Sequence, residues 1–304
     1  MSKPDRSQIL NLLYNVMEFE KKKDPQSENK LLHQERLILL CTDYLSAGLG
    51  YADIPFNFSD QFIDYALSIN KIAMEHFNSN NNEKAIHFLL KAIDILMHKS
   101  IHKFVKPVIK YGEMKVLTFN NLGCIYQKRK QYVLALKAVH FALELEERLV
   151  QDNNFNAKNS IISTLFNKAA IQSNLNKHNK AQDSLNKALY YTEKLLKELQ
   201  QENQQDQQET SKLQENQNEK EQEEESLKAK NPSKSQMSQK EIEDKLLELN
   251  KLKMMCFYNL GAEDEHLYHQ DRALLQYQKA KQIAEEINDL NMRDRINKII
   301  SQLK

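Results

Sequence analysis

Four times along this chain a small residue is followed 12 positions later by an alanine and 7 positions after that by another. The sets are Ala73/Ala85/Ala92, Gly123/Ala135/Ala142, Ala169/Ala181/Ala188 and Gly261/Ala273/Ala280, each inside an amphipathic helical pattern. Antiparallel helices approach closely only where their facing side chains are small, so the recurrence predicts one helical hairpin used four times. The chain has only five glycines, two of them in this pattern, so composition alone does not produce the spacing. Large apolar residues stand four before each first small residue (Ile69, Phe119, Leu165, Phe257) and four after each first alanine (Leu89, Val139, Leu185, Tyr277), where they fill the space between hairpins.

Two stretches carry a family resemblance. NNLGCIYQKRKQYVLALKAVHFALEL (120 to 145) and YNLGAEDEHLYHQDRALLQYQKAKQIA (258 to 284) resemble tetratricopeptide repeats, while 69 to 96 and 165 to 191 keep the small residues with Ala in place of Gly. The resemblance implies an all-α fold, a right-handed superhelix of stacked antiparallel hairpins. The first small residues lie 50 and then 46 residues apart, against roughly 34 in the usual unit. That lengthened style is similar to kinesin light chains and related cargo adaptors.

From Ala169 to Gly261 is 92 residues, twice the 46-residue step. Residues 200 to 240 contain almost no large apolar side chains and cannot bury enough surface to offset the entropy of ordering. They are expected to form a disordered or loosely helical insert, with the preceding helix able to run on past Leu199. The expected organisation is an N-terminal helical cap over 1–58, three repeats over 59–199, the insert over 200–240, a fourth repeat over 241–288 and a capping helix over 289–304. In the cap, two amphipathic helices split at Asp24/Pro25 and end at Gly48/Gly50. Ser59 or Asp60 is the expected N-cap of the next helix, and Asp152/Asn153/Asn154 a short loop between long helices.

Several function classes find no support. With 43 basic against 42 acidic residues the chain lacks the positive excess of a nucleic-acid reader; Lys128/Arg129/Lys130 and Lys21/Lys22/Lys23 read as ordinary helix-end cations. The longest apolar run, around Leu37 to Cys41, is too short to cross a bilayer, and the start MSKPDRSQ has no signal-peptide hydrophobic region, so a cytoplasmic, cytoskeletal or ciliary address is expected. Cys41, Cys124 and Cys256 are far apart and read as reduced thiols. There is no phosphate loop or nucleophile elbow. Glu263, Glu265, His266 and His269 form the densest ionisable cluster, but no partner ligands from another helix are identifiable, and it reads as a solvated helix face. His98 and His102 are likewise assigned no chemistry. No enzyme activity, metal or cofactor is expected.

What remains is the groove lined by the first helix of each hairpin. Positions flanking the small residues give Asn70, Phe77 and Asn78 in the first repeat, Asn120, Asn121 and Gln127 in the second, Asn167 and Asn174 in the third, and Tyr258 and Asn259 in the fourth. Asn presents both a donor and an acceptor, so a row of them can pair with the backbone of a bound segment whatever its side chains. Asn121, Asn167 and Asn259 stand two residues before the small one, where Lys71 breaks the row; in the kinesin light-chain type the matching asparagines hold cargo peptides, and the resemblance implies that role here. Chaperone-binding relatives use a cationic clamp, but the corresponding places are Asn70, Met74, Asn121, Ser163 and Asn167, of which only Asn121 fits.

The expected function is therefore a non-catalytic scaffold that binds an internal peptide or helix of a partner protein in an Asn-lined concave groove. The alternative is a structural part of a cytoskeletal or ciliary assembly that uses its convex face. An insert of about 40 residues reaches roughly 35 Å, enough for the chain near Ser226/Leu227 to fold back into the groove.

Overall fold

The computed structural model describes residues 28–46, 57–106, 108–151, 155–218 and 238–303, together with the helical residues Ser7, Asn11 and Asn15. The regular elements are helices: α1 Glu28–Ser46, α2 Phe58–Asn78, α3 Asn82–Leu96, α4 Val108–Lys128, α5 Tyr132–Gln151, α6 Phe155–Asn174, α7 His178–Asn218, α8 Gln239–His266, α9 Gln270–Glu286 and α10 Leu290–Leu303, with one 3-10 turn at Ile101–Lys103. Among the described residues there is no strand. The fold is all-α, built of antiparallel helical hairpins. The chain divides into two compact units, Met1–Leu175 and Asn176–Lys304.

In the first unit the hairpins α2/α3 and α4/α5 carry the first two small-residue sets. Ala73, Ala85, Ala92, Ala135 and Ala142 are fully buried. A Cβ added at Gly123 would lie 2.6 Å from Val139 Cγ2, so the helices meet at a distance that only glycine permits here. Helix α1 packs on α2 through Leu31, Leu37, Ile38, Cys41 and Leu45, which share one core with Phe58, Phe62, Tyr65 and Ile69. The N-cap of α2 is Asn57, whose Oδ1 accepts the Ser59 N–H at 3.0 Å, two residues before Ser59 and three before Asp60, the expected caps. Ser59 is instead buried, and its hydroxyl accepts the Lys106 N–H at 2.9 Å.

In the second unit α8/α9 carries the fourth set. Ala273 and Ala280 are fully buried, and a Cβ at Gly261 would press into the Tyr277 ring at 2.9 Å. Met292, Ile299, Ile300 and Leu303 of α10 pack on the core formed by Met254, Ala273, Tyr277, Ala280 and Ile296. The third set is divided: Ala169 lies in α6 of the first unit, Ala181 and Ala188 in α7 of the second. Helix α7 continues to Asn218, so the low-complexity stretch begins as helix. Residues 219–237, with Ser226/Leu227, lie outside the described residues, as do Lys21 to Lys23, Asp24/Pro25, Gly48/Gly50 and Asp152 to Asn154.

The hairpin turns share one device. Asn80, Lys130, Asn176 and Tyr268 each stand seven residues after the small residue of their repeat and each has a left-handed φ, between 56° and 61°. In three of the turns the next residue's N–H reaches back to a carbonyl five residues earlier: Asn81 to His76, Gln131 to Tyr126 and His269 to Asp264. These bonds close the helix ends in the manner of a Schellman motif, satisfying carbonyls that would otherwise lack partners.

Candidate functional site

Helices α2, α4 and α6 of the first unit lie side by side, and they bring the predicted carboxamides together unevenly. Asn70 is only 3% exposed, and its carboxamide is spent. Its Nδ2 donates to the Ala66 carbonyl at 2.8 Å and to Thr118 Oγ1 at 2.9 Å, and its Oδ1 accepts from Asn121 Nδ2 at 2.8 Å. Asn70 therefore ties α2 to α4 and has no free group for a ligand, which corrects its expected place on the groove surface. Asn121 is half-buried and commits its donor to Asn70, while Asn120 commits its donor to Thr164 Oγ1 on α6 at 2.7 Å. Part of the asparagine row thus bonds neighbouring hairpins to one another.

The remaining positions are more open. Asn78 and Asn174 are exposed, although Asn174 donates to the Ala170 carbonyl of its own helix at 2.8 Å; Gln127 and Asn167 are half-buried. Phe77 is half-buried with Lys128 Nζ 4.4 Å above its ring, and the same ammonium donates to Asn80 Oδ1 at 3.0 Å. In the second unit Asn259 is half-buried, and Tyr258 packs edge-on to Tyr277 with the Arg295 guanidinium 5.3 Å from its ring.

The cluster on α8 is a solvated face only in part: His266 and His269 are exposed, but the carboxylates are not. Glu263 is 6% exposed and Asp264 0%. Glu263 Oε2 lies 2.7 Å from His178 Nδ1, and Asp264 Oδ1 accepts from Gln182 Nε2 at 2.7 Å and pairs with Arg272 Nη2 at 3.2 Å. Glu265 accepts from the Tyr277 hydroxyl, which burial, together with that carboxylate, holds above its ordinary pKa. His266 is exposed and stacks on His178, centroids 4.5 Å apart. These residues bind α7 and α9 to α8, and among the described residues no group of His, Cys, Asp and Glu is placed to hold a metal. Burial pushes the Cys41 and Cys256 thiols up to about 12, so neither is a nucleophile near neutral pH.

One cluster escaped the sequence reading. Glu146 on α5 is fully buried, and its Oε1 accepts from the Ser160 hydroxyl and from Thr164 Oγ1, the latter at 2.9 Å. Burial pushes its carboxyl up to about 7, with the two hydroxyl bonds opposing and Glu147 adding to the rise. The signal was its register: Ala135, Val139, Ala142, Glu146 and Leu149 fall at alternating steps of four and three, a single helix face.

No family model matches the chain, and no curated protein matches it. Solved structures do. The chain is similar to BtubC (BKLC) from P. vanneervenii, at 15% identity over 93% of this chain and 91% of that one, with a TM-score of 0.47. It is also similar to a Podosopora anserina chain described as kinesin light chain with nearly identical TPR-like repeats, at 10% identity over 94% and 99% with a TM-score of 0.44. A circular tandem repeat protein follows at 9% identity, over 97% and 62%, with a TM-score of 0.35. The neighbours are TPR-like repeat proteins. The assignment of the fold to this chain rests on its own hairpins.

Proposed function

We propose that the chain is a non-catalytic scaffold that binds an internal peptide or helix of a partner protein along the surface formed by the first helices of its hairpins. The observation that supports this reading is the adjacency of α2, α4 and α6, with Asn78, Gln127, Asn167 and Asn174 left at least partly open between them. A bound segment exposes backbone N–H and C=O groups, and carboxamides pair with both. The bonds among Asn70, Thr118 and Asn121 hold that surface in register, which lowers the ordering cost of binding. On this reading the protein acts as an adaptor in a multi-protein assembly, cytoplasmic and associated with the cytoskeleton or a cilium.

A second reading is favoured by a separate observation. Leu90 on α3, Met97 at its C-cap, and Val133, Leu134 and Phe141 on α5, the second helices of their hairpins, are exposed, with Phe141 at 53%. Exposed apolar side chains on these second helices suit a structural contact through the convex face. Affinity capture from cells with two variants separates the readings. Gln127→Ala/Asn167→Ala is expected to weaken partner recovery about tenfold, the loss of roughly one good hydrogen-bonded contact, whereas Leu134→Asp/Phe141→Asp leaves it intact. The opposite pattern selects the structural role.

A further inference from the structure

Helices α4, α5 and α6 of the first unit form a half-open cavity of about 260 Å³ lined by Met114, Val116, Leu117, Leu149, Asn120 and Glu146, with Glu113 and Ser160 completing the wall. The volume exceeds the roughly 150 Å³ that suffices for a benzene ring. Two buried oxygens of lining residues have no hydrogen-bond partner, Glu146 Oε2 and Asn120 Oδ1. The hydroxyls that might serve them are committed. Ser160 and Thr164 both donate to Glu146 Oε1, and Thr164 Oγ1 in turn accepts from Asn120 Nδ2 at 2.7 Å. A hydroxyl has one proton to give, so no rotation rescues the two orphans.

Buried polar atoms are almost always paired, so the two acceptors call for a donor, which a proton on Glu146 Oε2 supplies when the carboxyl is neutral and an incoming group supplies when it is ionised. The occupant that fits has donors only at one end and an apolar stem to lie against Met114, Val116, Leu117 and Leu149. Glu146 puts an ionisable carboxyl on the wall, and no Lys, Arg or His lines it, which favours a cation over a neutral donor. An ammonium has three N–H donors and no acceptor. We propose that this cavity binds a primary alkylammonium group, brought either by a free small amine or by a lysine side chain of a partner.

The electrostatics agree with the geometry. Of the ionisable groups near Glu146, Glu113 on α4 shares the cavity wall and Glu147 adjoins it on α5. With its carboxyl raised to about 7 by burial, Glu146 is near half-protonated at neutral pH, and an ammonium that enters displaces the proton. Affinity for the cation therefore rises as pH increases through that value.

Calorimetric titration of the full chain with n-butylammonium tests this without reference to any protein partner, so its failure leaves the scaffold reading standing. Saturable binding is expected, at least about tenfold tighter than for n-butanol, lost by about tenfold or more in Glu146→Gln, and several-fold tighter at about pH 8 than at about pH 6. A parallel titration with Nα-acetyl-lysine methylamide identifies the source. Comparable affinity marks a partner's lysine; binding of butylammonium alone marks a free amine. The proposal is overturned if neither amine saturates, which leaves water as the occupant, or if butanol binds as tightly. It is also overturned if wild-type affinity is flat with pH, a readout that does not depend on the variant folding.

Discussion

Single residues set the closest approaches in both units. Gly123 and Gly261 are required because Val139 and Tyr277 occupy the space a Cβ would take. The Tyr277 ring has little freedom to move away, since its hydroxyl is bonded to Glu265. Gly261→Ala is therefore expected to cost about 1–3 kcal/mol in urea denaturation, and Tyr277→Leu in the same chain to recover a large part of that loss. The glycines, alanines and their large neighbours were legible in the sequence because helical packing imposes a fixed spacing on them. Glu146 was harder to see: ELEERLV reads as a charged surface unless its register with Ala142 and Leu149 is followed.

The same residue gives the first unit a pH dependence. Glu146 titrates at about 7 when folded, above the ordinary value of 4.5. A group raised in this way favours the folded state fully below its unfolded value, and that stability is lost as pH rises through about 7. The loss is at most about 3 kcal/mol. Denaturation at about pH 5 and about pH 8 is expected to show it in wild type, and Glu146→Gln, which keeps the shape without the charge, to flatten the difference.

Helices end in a shared turn whose left-handed residue is Asn in two repeats but Lys130 and Tyr268 in the others. Asparagine tolerates that conformation, whereas a lysine or tyrosine Cβ crowds the following carbonyl. Tyr268 is 91% exposed and has little packing to lose. Lys130→Gly and Tyr268→Gly are each expected to raise stability by about 0.5–1 kcal/mol in thermal or urea melts. This turn was not legible in the sequence, because only backbone geometry reveals that two asparagines, a lysine and a tyrosine do one job. The start of α2 shows the same limit: three polar residues within four positions, Asn57, Ser59 and Asp60, could each cap, and the bond between Ser59 and Lys106 decides among them. In the cluster on α8, likewise, only the partners Gln182, Arg272 and His178 distinguish buried carboxylates from a solvated face.

At the scale of the whole molecule, two units each hold a core of their own, and the third small-residue set is shared between them. The hairpin architecture was legible because it repeats; the carboxamide row was legible only as positions. Whether a groove asparagine faces a ligand or a neighbouring helix depends on a residue in the next hairpin, as Thr118 does for Asn70 and Thr164 for Asn120. Among the described residues no helix is long and apolar enough to cross a membrane, and the balanced charge leaves shape and hydrogen bonding to select a partner.

Partners are proposed to engage the first helices of the hairpins. Lysine-directed crosslinking in cells with mass-spectrometric quantification tests this most directly, because lysines stand on both kinds of helix: Lys71 and Lys128 on α2 and α4, Lys91 and Lys137 on α3 and α5. Partner crosslinks are predicted to concentrate on Lys71 and Lys128 and to fall in the Gln127→Ala/Asn167→Ala variant. Crosslinks that concentrate on Lys91 and Lys137 and persist in that variant would contradict the account.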